Sequence, residues 1–217
     1  MSRRARIGAV ALAAALAGCL PLAPARAEPG AMFGDPAKAA QYWARQSYDN
    51  NCVLMSVAGV VGQITGRMPG EQEVIDVAQH LPSVAHQGKT VFTDVNNGEL
   101  VNSLDIVALL GHYGVGATTS EQSNAGAALD ALKSALGSGH AALVPVSSRV
   151  IWHVDEADRG PSDHEVVVTG VDADVGVVHL NDSGTDDGRD AQLPVANFTS
   201  AWAAGDYELT VTQQTVQ

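Results

Sequence analysis

The spacing of the hydrophobic residues changes once along the chain, and this change constrains the fold more than any other feature. Before Gly137, apolar residues recur at helical spacing in the segments 37–45, 52–65, 69–79, 100–113 and 125–136. After it, apolar runs predict strands at 141–147, 164–172, 175–181 and 207–212, with one short helix at 195–202. Helices followed by strands are typical of an α+β domain with an antiparallel sheet.

The first 27 residues have the features of a secretory signal peptide. Basic residues precede an apolar stretch at 7–17 that is too short to cross a bilayer, and the small-residue pattern Ala25-Arg26-Ala27 follows. No later segment is apolar enough to be a transmembrane span. We therefore expect an exported protein, secreted or associated with the cell envelope, with its folded domain at 28–217. An alternative is a lipid anchor at Cys19, because Leu16-Ala17-Gly18-Cys19 resembles the bacterial lipobox.

The charge of the chain argues against two kinds of partner. It has 12 Lys and Arg residues against 24 Asp and Glu residues, a formal net charge of −12. Phosphate neutralisation needs clustered basic side chains, so neither nucleic acid nor an anionic lipid surface is expected as a partner. A hydrophobic fraction of 46% supports one globular domain, with a helical lobe at about 37–137 and a sheet lobe at about 141–217. The sequence leaves the oligomeric state open.

Cys52 is the only thiol of the expected domain, because Cys19 lies in the leader. A lone cysteine in an exported protein is either a small buried core residue or a nucleophile. Cys52 follows a polar turn and begins an apolar segment that predicts a buried helix ended by Gly66. The free N–H groups and the dipole at such a helix start stabilise a thiolate.

A thiolate nucleophile needs a histidine, and the histidine needs a group that orients it. His164 begins one predicted strand, and Asp182 directly follows the next. If the two strands form a hairpin, the start of the first lies beside the end of the second, so these side chains become neighbours. Gln46 lies six residues before Cys52 and offers an amide that can hold an oxyanion.

These motifs resemble those of the papain-like cysteine peptidases of the bacteriocin-processing type, the C39-like peptidases. The order of the four residues is the same, and Phe198 and Trp202 match a segment that follows the aspartate in the family. The resemblance spans roughly residues 41–212 and implies a papain-like fold, in which a cysteine-led helical lobe packs on an antiparallel sheet. It also implies four roles: oxyanion donor for Gln46, nucleophile for Cys52, general base and then acid for His164, and orienting group for Asp182.

The chain departs from the family at two loops. Val53 follows the cysteine where many members have glycine, and Ser183 follows the aspartate where many have proline. Both changes leave the catalytic atoms in place but put the loop shapes in doubt. The 217 residues hold no counterpart of the membrane and ATPase regions of transporter-fused members, so we do not expect their double-glycine leader substrates here.

The sequence thus predicts an exported cysteine peptidase that acts on a peptide or protein substrate and needs no metal or organic cofactor. Two alternatives stay open: a non-catalytic binding module on the same fold, and a cysteine amidase or acyl transferase acting on cell-envelope substrates. A metal site formed by His153 with nearby acidic residues such as Asp155 and Asp158 is not expected, because the sequence has no His-x3-His helix or Cys-x2-Cys pair to support it.

Overall fold

One antiparallel sheet of seven strands organises the computed structural model, which describes residues 32–96, 100–153 and 160–217. The strands are β1 (Met32–Gly34), β2 (Ala117–Glu121), β3 (His140–Val146), β4 (His164–Asp172), β5 (Val177–Asn181), β6 (Ala191–Pro194) and β7 (Glu208–Thr215). Their order is β2-β7-β3-β4-β5-β6, and β1 pairs with the far end of β4. The predicted α+β class with an antiparallel sheet is confirmed.

The described helices match most of the predicted helical segments. They are α1 (Pro36–Ala39), α2 (Cys52–Thr65), α3 (Glu71–His80), α4 (Ser103–His112), α5 (Ala125–Gly137), α6 (Ser148–Ile151) and α7 (Val195–Trp202), with 3-10 turns at Ala40–Tyr42 and Ala203–Gly205. The helix predicted at 37–45 is wrong in its second half, because the chain is already extended at Trp43. That extension lets the Trp43 indole N–H donate to the Asp182 carbonyl at 2.7 Å.

Helices cover both faces of the sheet. On one face, α2, α3 and α4 form a core with Leu143 and Val167. On the other, α5, α6 and α7 pack against Val144 and Val166. Coverage on both sides explains why β4 reads as a nearly continuous apolar run rather than an alternating one. The division of the domain into two lobes stays a prediction, and β1 and β2 join the sheet from outside the segment 141–217.

None of the helices within the described part of the chain is long and apolar enough to span a membrane. The predicted signal peptide at 1–27 and the lipobox cysteine, Cys19, lie outside the described residues.

Candidate active site

Cys52 is the first residue of α2, which is buried along almost its whole length. The side chain of Asn51, the residue before the helix, makes no capping hydrogen bond. The amide groups of the first turn are therefore not occupied by a side-chain cap and can act on the sulfur or on a ligand beside it. Cys52 is only 1% exposed, yet it lines a cleft together with His164.

Glu71 accepts two hydrogen bonds from the turn that precedes Cys52. Its Oε1 accepts a hydrogen bond from the Ser47 N–H at 2.6 Å and another from Asn51 Nδ2 at 2.8 Å. Partial burial acts to raise the pKa of Glu71, but these hydrogen bonds outweigh it and lower the pKa below its usual range. An ionised carboxylate therefore fixes the backbone on the approach to the thiol.

Antiparallel pairing of β4 with β5 brings His164 and Asp182 together. Val167 lies opposite Asn181, so the start of β4 faces the residue that follows β5. His164 Nε2 lies 2.7 Å from Asp182 Oδ1, and both side chains are buried. Because Nε2 is engaged with the carboxylate, Nδ1 is the ring nitrogen that remains for a partner on the other side.

That partner is Cys52. Burial alone disfavours a charged imidazole, but hydrogen bonds to Asp182 and Cys52, together with their charges, raise the pKa of His164 to about 10. Burial acts to raise the pKa of Asp182, but hydrogen bonds from His164, Trp152 and Gly184 lower it. The arrangement therefore favours an imidazolium between a carboxylate and the sulfur throughout the neutral range.

A hydrogen bond connects helix α2 to the sheet one turn after Cys52. The hydroxyl of Ser56 donates to the Glu165 carbonyl oxygen at 3.0 Å, next to His164 on β4. Cys52 and Ser56 lie on the same side of the helix because they are four residues apart. This buried bond sets the position of the thiol relative to the histidine.

Trp152, which sequence reasoning missed, completes the environment of the His–Asp pair. Its Nε1 donates to Asp182 Oδ2 at 2.9 Å, and its ring centroid lies 5.0 Å from that of His164. Trp152 follows the short helix α6 and is 38% exposed, so its indole covers the pair on the solvent side. The contact joins segments 30 residues apart, and no local pattern points to it.

Gln46 lies against the loop that carries Asp182. Its N–H donates to the Ser183 carbonyl at 3.0 Å, and its side-chain oxygen accepts from the Ser183 hydroxyl at 2.8 Å. Its Nε2 donates to the Tyr48 carbonyl at 2.8 Å. An amide NH₂ group carries two hydrogens, so one remains for an oxyanion. The oxyanion role of Gln46 stays a prediction.

No group of three or more His, Cys, Asp or Glu side chains suited to a metal ion occurs within the described ranges. Two of the acidic residues weighed for a metal site, Asp155 and Asp158, lie outside those ranges. A second His–Asp pair lies in the same sheet, with His179 Nδ1 2.8 Å from Asp190 Oδ1. Neither of its members lines the cleft beside Cys52.

Gly184 allows the loop after Asp182 to pass close to the site. Its N–H donates to Asp182 Oδ1 at 2.7 Å. A Cβ added at Gly184 would collide with Trp152 Cζ2 and lie 2.9 Å from His164 Cε1. The site therefore needs a residue without a side chain here.

We expect Gly184→Ala to displace Trp152 or His164. Overpacking of this kind costs about 1–3 kcal/mol of unfolding free energy, and it should also slow alkylation of Cys52. Gly111→Ala is the matched control, because a Cβ there meets nothing within 4 Å and alanine suits the helix. Urea titration and iodoacetamide rates measure both effects. Equal stability and reactivity in the two variants would contradict the argument.

Comparison with curated proteins finds relatives in mycobacteria. Uncharacterized protein Rv1268c of Mycobacterium tuberculosis (strain H37Rv) and Uncharacterized protein Mb1299c of Mycobacterium bovis are each 47% identical over 221 residues. The alignments cover 94% of this chain and 91% of theirs. The chain belongs to the same family as these mycobacterial proteins. No family model matches it.

Comparison with solved structures shows which known fold this chain shares. A protein of Bacillus anthracis assigned to the C39-like peptidases superposes with a TM-score of 0.58 at 16% identity, covering 81% of this chain and 95% of its own. A double-glycine-motif protease from an AMS/PCAT transporter, solved with a leader peptide, gives 0.52 at 15% identity, covering 80% and 91%. The fold is therefore that of the C39-like peptidases, as the motifs predicted.

Proposed function

We propose that the protein is a cysteine peptidase in which Cys52, His164 and Asp182 form the catalytic triad. The observation that carries this proposal is the 2.7 Å contact of His164 Nε2 with Asp182 Oδ1, in a histidine that also bonds the Cys52 thiol. A base oriented by a carboxylate and facing a nucleophile is the arrangement that acyl transfer needs. The C39-like fold supports the same chemistry.

The first half of the reaction forms an acyl-enzyme. Cys52 Sγ, as thiolate, attacks the carbonyl carbon of the scissile peptide, and the carbonyl electron pair moves to oxygen. The Cys52 N–H and the Gln46 amide donate to that oxyanion. When the intermediate collapses, the C–N bond breaks and the His164 imidazolium gives its proton to the departing amine.

The second half releases the product and restores the enzyme. His164, now neutral, takes a proton from water as the water oxygen attacks the thioester carbon. The C–S bond then breaks, the acid product leaves, and the sulfur returns as thiolate beside a protonated His164. Every proton in this cycle passes through one imidazole, so the proposal needs no metal or organic cofactor.

The N-terminal leader supports a proposal about the cellular location of this reaction. We place the peptidase outside the cytoplasm, after removal of residues 1–27, because the leader has the order of a secretory signal. Mass measurement of the exported protein separates the two processing routes. An N-terminus at Glu28 supports ordinary export, and a lipid-modified Cys19 supports the anchored form instead.

Peptide cleavage is the direct test of the function. The protein is incubated with a peptide library and, separately, with cell-wall fragments, and the products are identified by mass spectrometry. We expect new peptide termini with the wild type and none with Cys52→Ala. Cleavage of cell-wall amides alone would support the amidase alternative. If neither substrate changes while the protein still binds peptides, the non-catalytic binding module is favoured.

A further inference from the structure

The cleft that opens at Cys52 and His164 is strongly acidic. Its volume is about 380 Å³, within the usual range for a site that takes a small ligand group. Five carboxylate residues line it: Glu121, Asp163, Glu165, Asp206 and Glu208. Among the described lining residues there is no lysine or arginine, and there are two histidines, His86 and His164.

Glu165 is the buried member of this group. It is 4% exposed, it lines the cleft, and its Oε1 has no hydrogen-bond partner among the residues that the structure describes. A buried carboxyl oxygen without a partner lowers the stability of the fold. A ligand that enters the cleft can supply the donor that Oε1 lacks.

Burial, together with two neighbouring charges, disfavours the ionised form of Glu165 in the free protein. Burial raises its pKa well above the usual range, and the charges of Cys52 and Glu208 add to this, while His164 acts in the opposite direction. Burying the neutral carboxyl costs less free energy than burying the carboxylate, so the neutral form is favoured when no cation is bound. A cation beside it would favour the ionised form and gain a charge-assisted hydrogen bond.

Two glutamates that line the cleft form a pair of like charges. Glu121 on β2 is directly opposite Glu208 on β7, and like charges at such a pair of positions destabilise a sheet. Partial burial, followed by the charges of Glu121 and Asp206, raises the pKa of Glu208, although a hydrogen bond from Ser103 opposes the shift.

Asp163 differs from the other four carboxylates. Both of its oxygens already accept hydrogen bonds from Ser148, the N–H at 2.7 Å and the hydroxyl at 2.8 Å. Asp163 is therefore not the group left for a ligand. Glu165 has an oxygen without a partner, and the charge of Glu208 acts on it, so these two residues are the candidates.

We infer that this cleft binds a lysine or arginine side chain of the substrate next to the scissile bond, with Glu165 and Glu208 as its carboxylate partners. An ammonium brings three donors and a guanidinium five, and either satisfies Glu165 while relieving the repulsion between Glu121 and Glu208. The inference rests on the proposed peptidase function for the scissile bond. The cation site itself depends only on the cleft.

Binding to an inactive form tests the cation site apart from catalysis. Calorimetry on Cys52→Ala compares blocked alanine peptides that carry a single lysine, arginine, norleucine or glutamate. We expect the lysine and arginine peptides to bind at least tenfold more tightly than the norleucine peptide. Adding Glu165→Gln should reduce this preference to threefold or less, and Glu208→Gln should weaken it as well. Asp49→Asn, which removes an exposed charge three residues before Cys52, should leave it unchanged.

The same peptides, given to the active protein, distinguish the proposed peptidase activity from the proposed cation site. Selective binding of lysine peptides without cleavage would support the cation site and overturn the peptidase. Cleavage of all four peptides at equal rates, unaltered by Glu165→Gln, would support the peptidase and overturn the cation site. A norleucine peptide that binds as well as the lysine peptide would also overturn it.

Measurements of the unfolding free energy show whether Glu165→Gln is still folded. The folded wild type keeps a proton on Glu165 that the unfolded chain releases above about pH 4.5, so this residue makes the unfolding free energy fall as the pH rises. Glutamine removes that slope, and the variant should be at least as stable as the wild type at pH 8. An unchanged pH dependence would mean that Glu165 is already ionised, which contradicts the argument.

Discussion

His164→Ala is expected to slow alkylation of Cys52 by iodoacetamide at pH 6 by about 100-fold or more. The pKa of His164 is raised to about 10, so the ring beside the sulfur is positively charged at pH 6. That charge stabilises the negative charge that sulfur carries as it attacks the reagent. Without His164 this stabilisation is lost, and the alkylation rate at pH 6 should fall.

His179→Ala is the matched control for this comparison. His179 belongs to the same sheet and also pairs with an aspartate, at 2.8 Å, but it does not line the cleft. Its removal should leave the alkylation rate within about twofold of the wild type. Stopped-flow or mass-resolved labelling of Cys52 gives both rates. If His164→Ala reacts as fast as the wild type at pH 6, the histidine does not activate this thiol.

The sequence was sufficient to predict the pairing of His164 with Asp182. Two apolar strands joined by a short turn specify a hairpin, and a hairpin fixes which ends meet. A β-bulge between Val168 and Gly170 shifts the register on the way, but it does not separate the two side chains. The start of α2 at Cys52 was also predictable, because a polar turn precedes an apolar run there.

Long-range contacts account for what the sequence could not predict. Trp152 reaches Asp182 across a segment with no local pattern, and Glu71 holds the turn before Cys52 from another helix. The sequence shows an acidic residue, Glu165, before the valines of β4, but its burial depends on packing from α2 and the neighbouring strands. The strand β2 is short and polar, so its membership of the sheet follows from pairing with β7 rather than from its own hydrophobicity.

Asp182→Asn is expected to lower kcat/KM for peptide hydrolysis by about 1,000- to 10,000-fold, as loss of the orienting carboxylate does in other triads. The carboxylate accepts from three donors: His164 Nε2 and the Gly184 N–H at Oδ1, and Trp152 Nε1 at Oδ2. Asparagine offers one oxygen and one NH₂ group. If its oxygen keeps His164, its NH₂ group faces the Trp152 N–H, and two donors are opposed.

A double variant tests whether the two opposed N–H donors lower the activity of Asp182→Asn. Adding Trp152→Phe to Asp182→Asn removes one of them, so the double variant should be more active than the sum of the two single effects predicts. Asp190→Asn is the control, because it makes the same change in the other His–Asp pair and should cost less than about twofold. Strict additivity of the two changes would show that Trp152 and Asp182 act independently.

The pH dependence of hydrolysis tests the charge of Asp182 separately from its geometry. His164 must be protonated to release the amine, and its pKa of about 10 sets the pH above which wild-type activity falls. Asp182→Asn removes a charge that raises this pKa, so activity should begin to fall at a lower pH. The shift is measured from kcat/KM between pH 5 and pH 11. If the fall stays near pH 10 in the variant, the proton on His164 is held by Cys52 alone, and Asp182 only positions the ring.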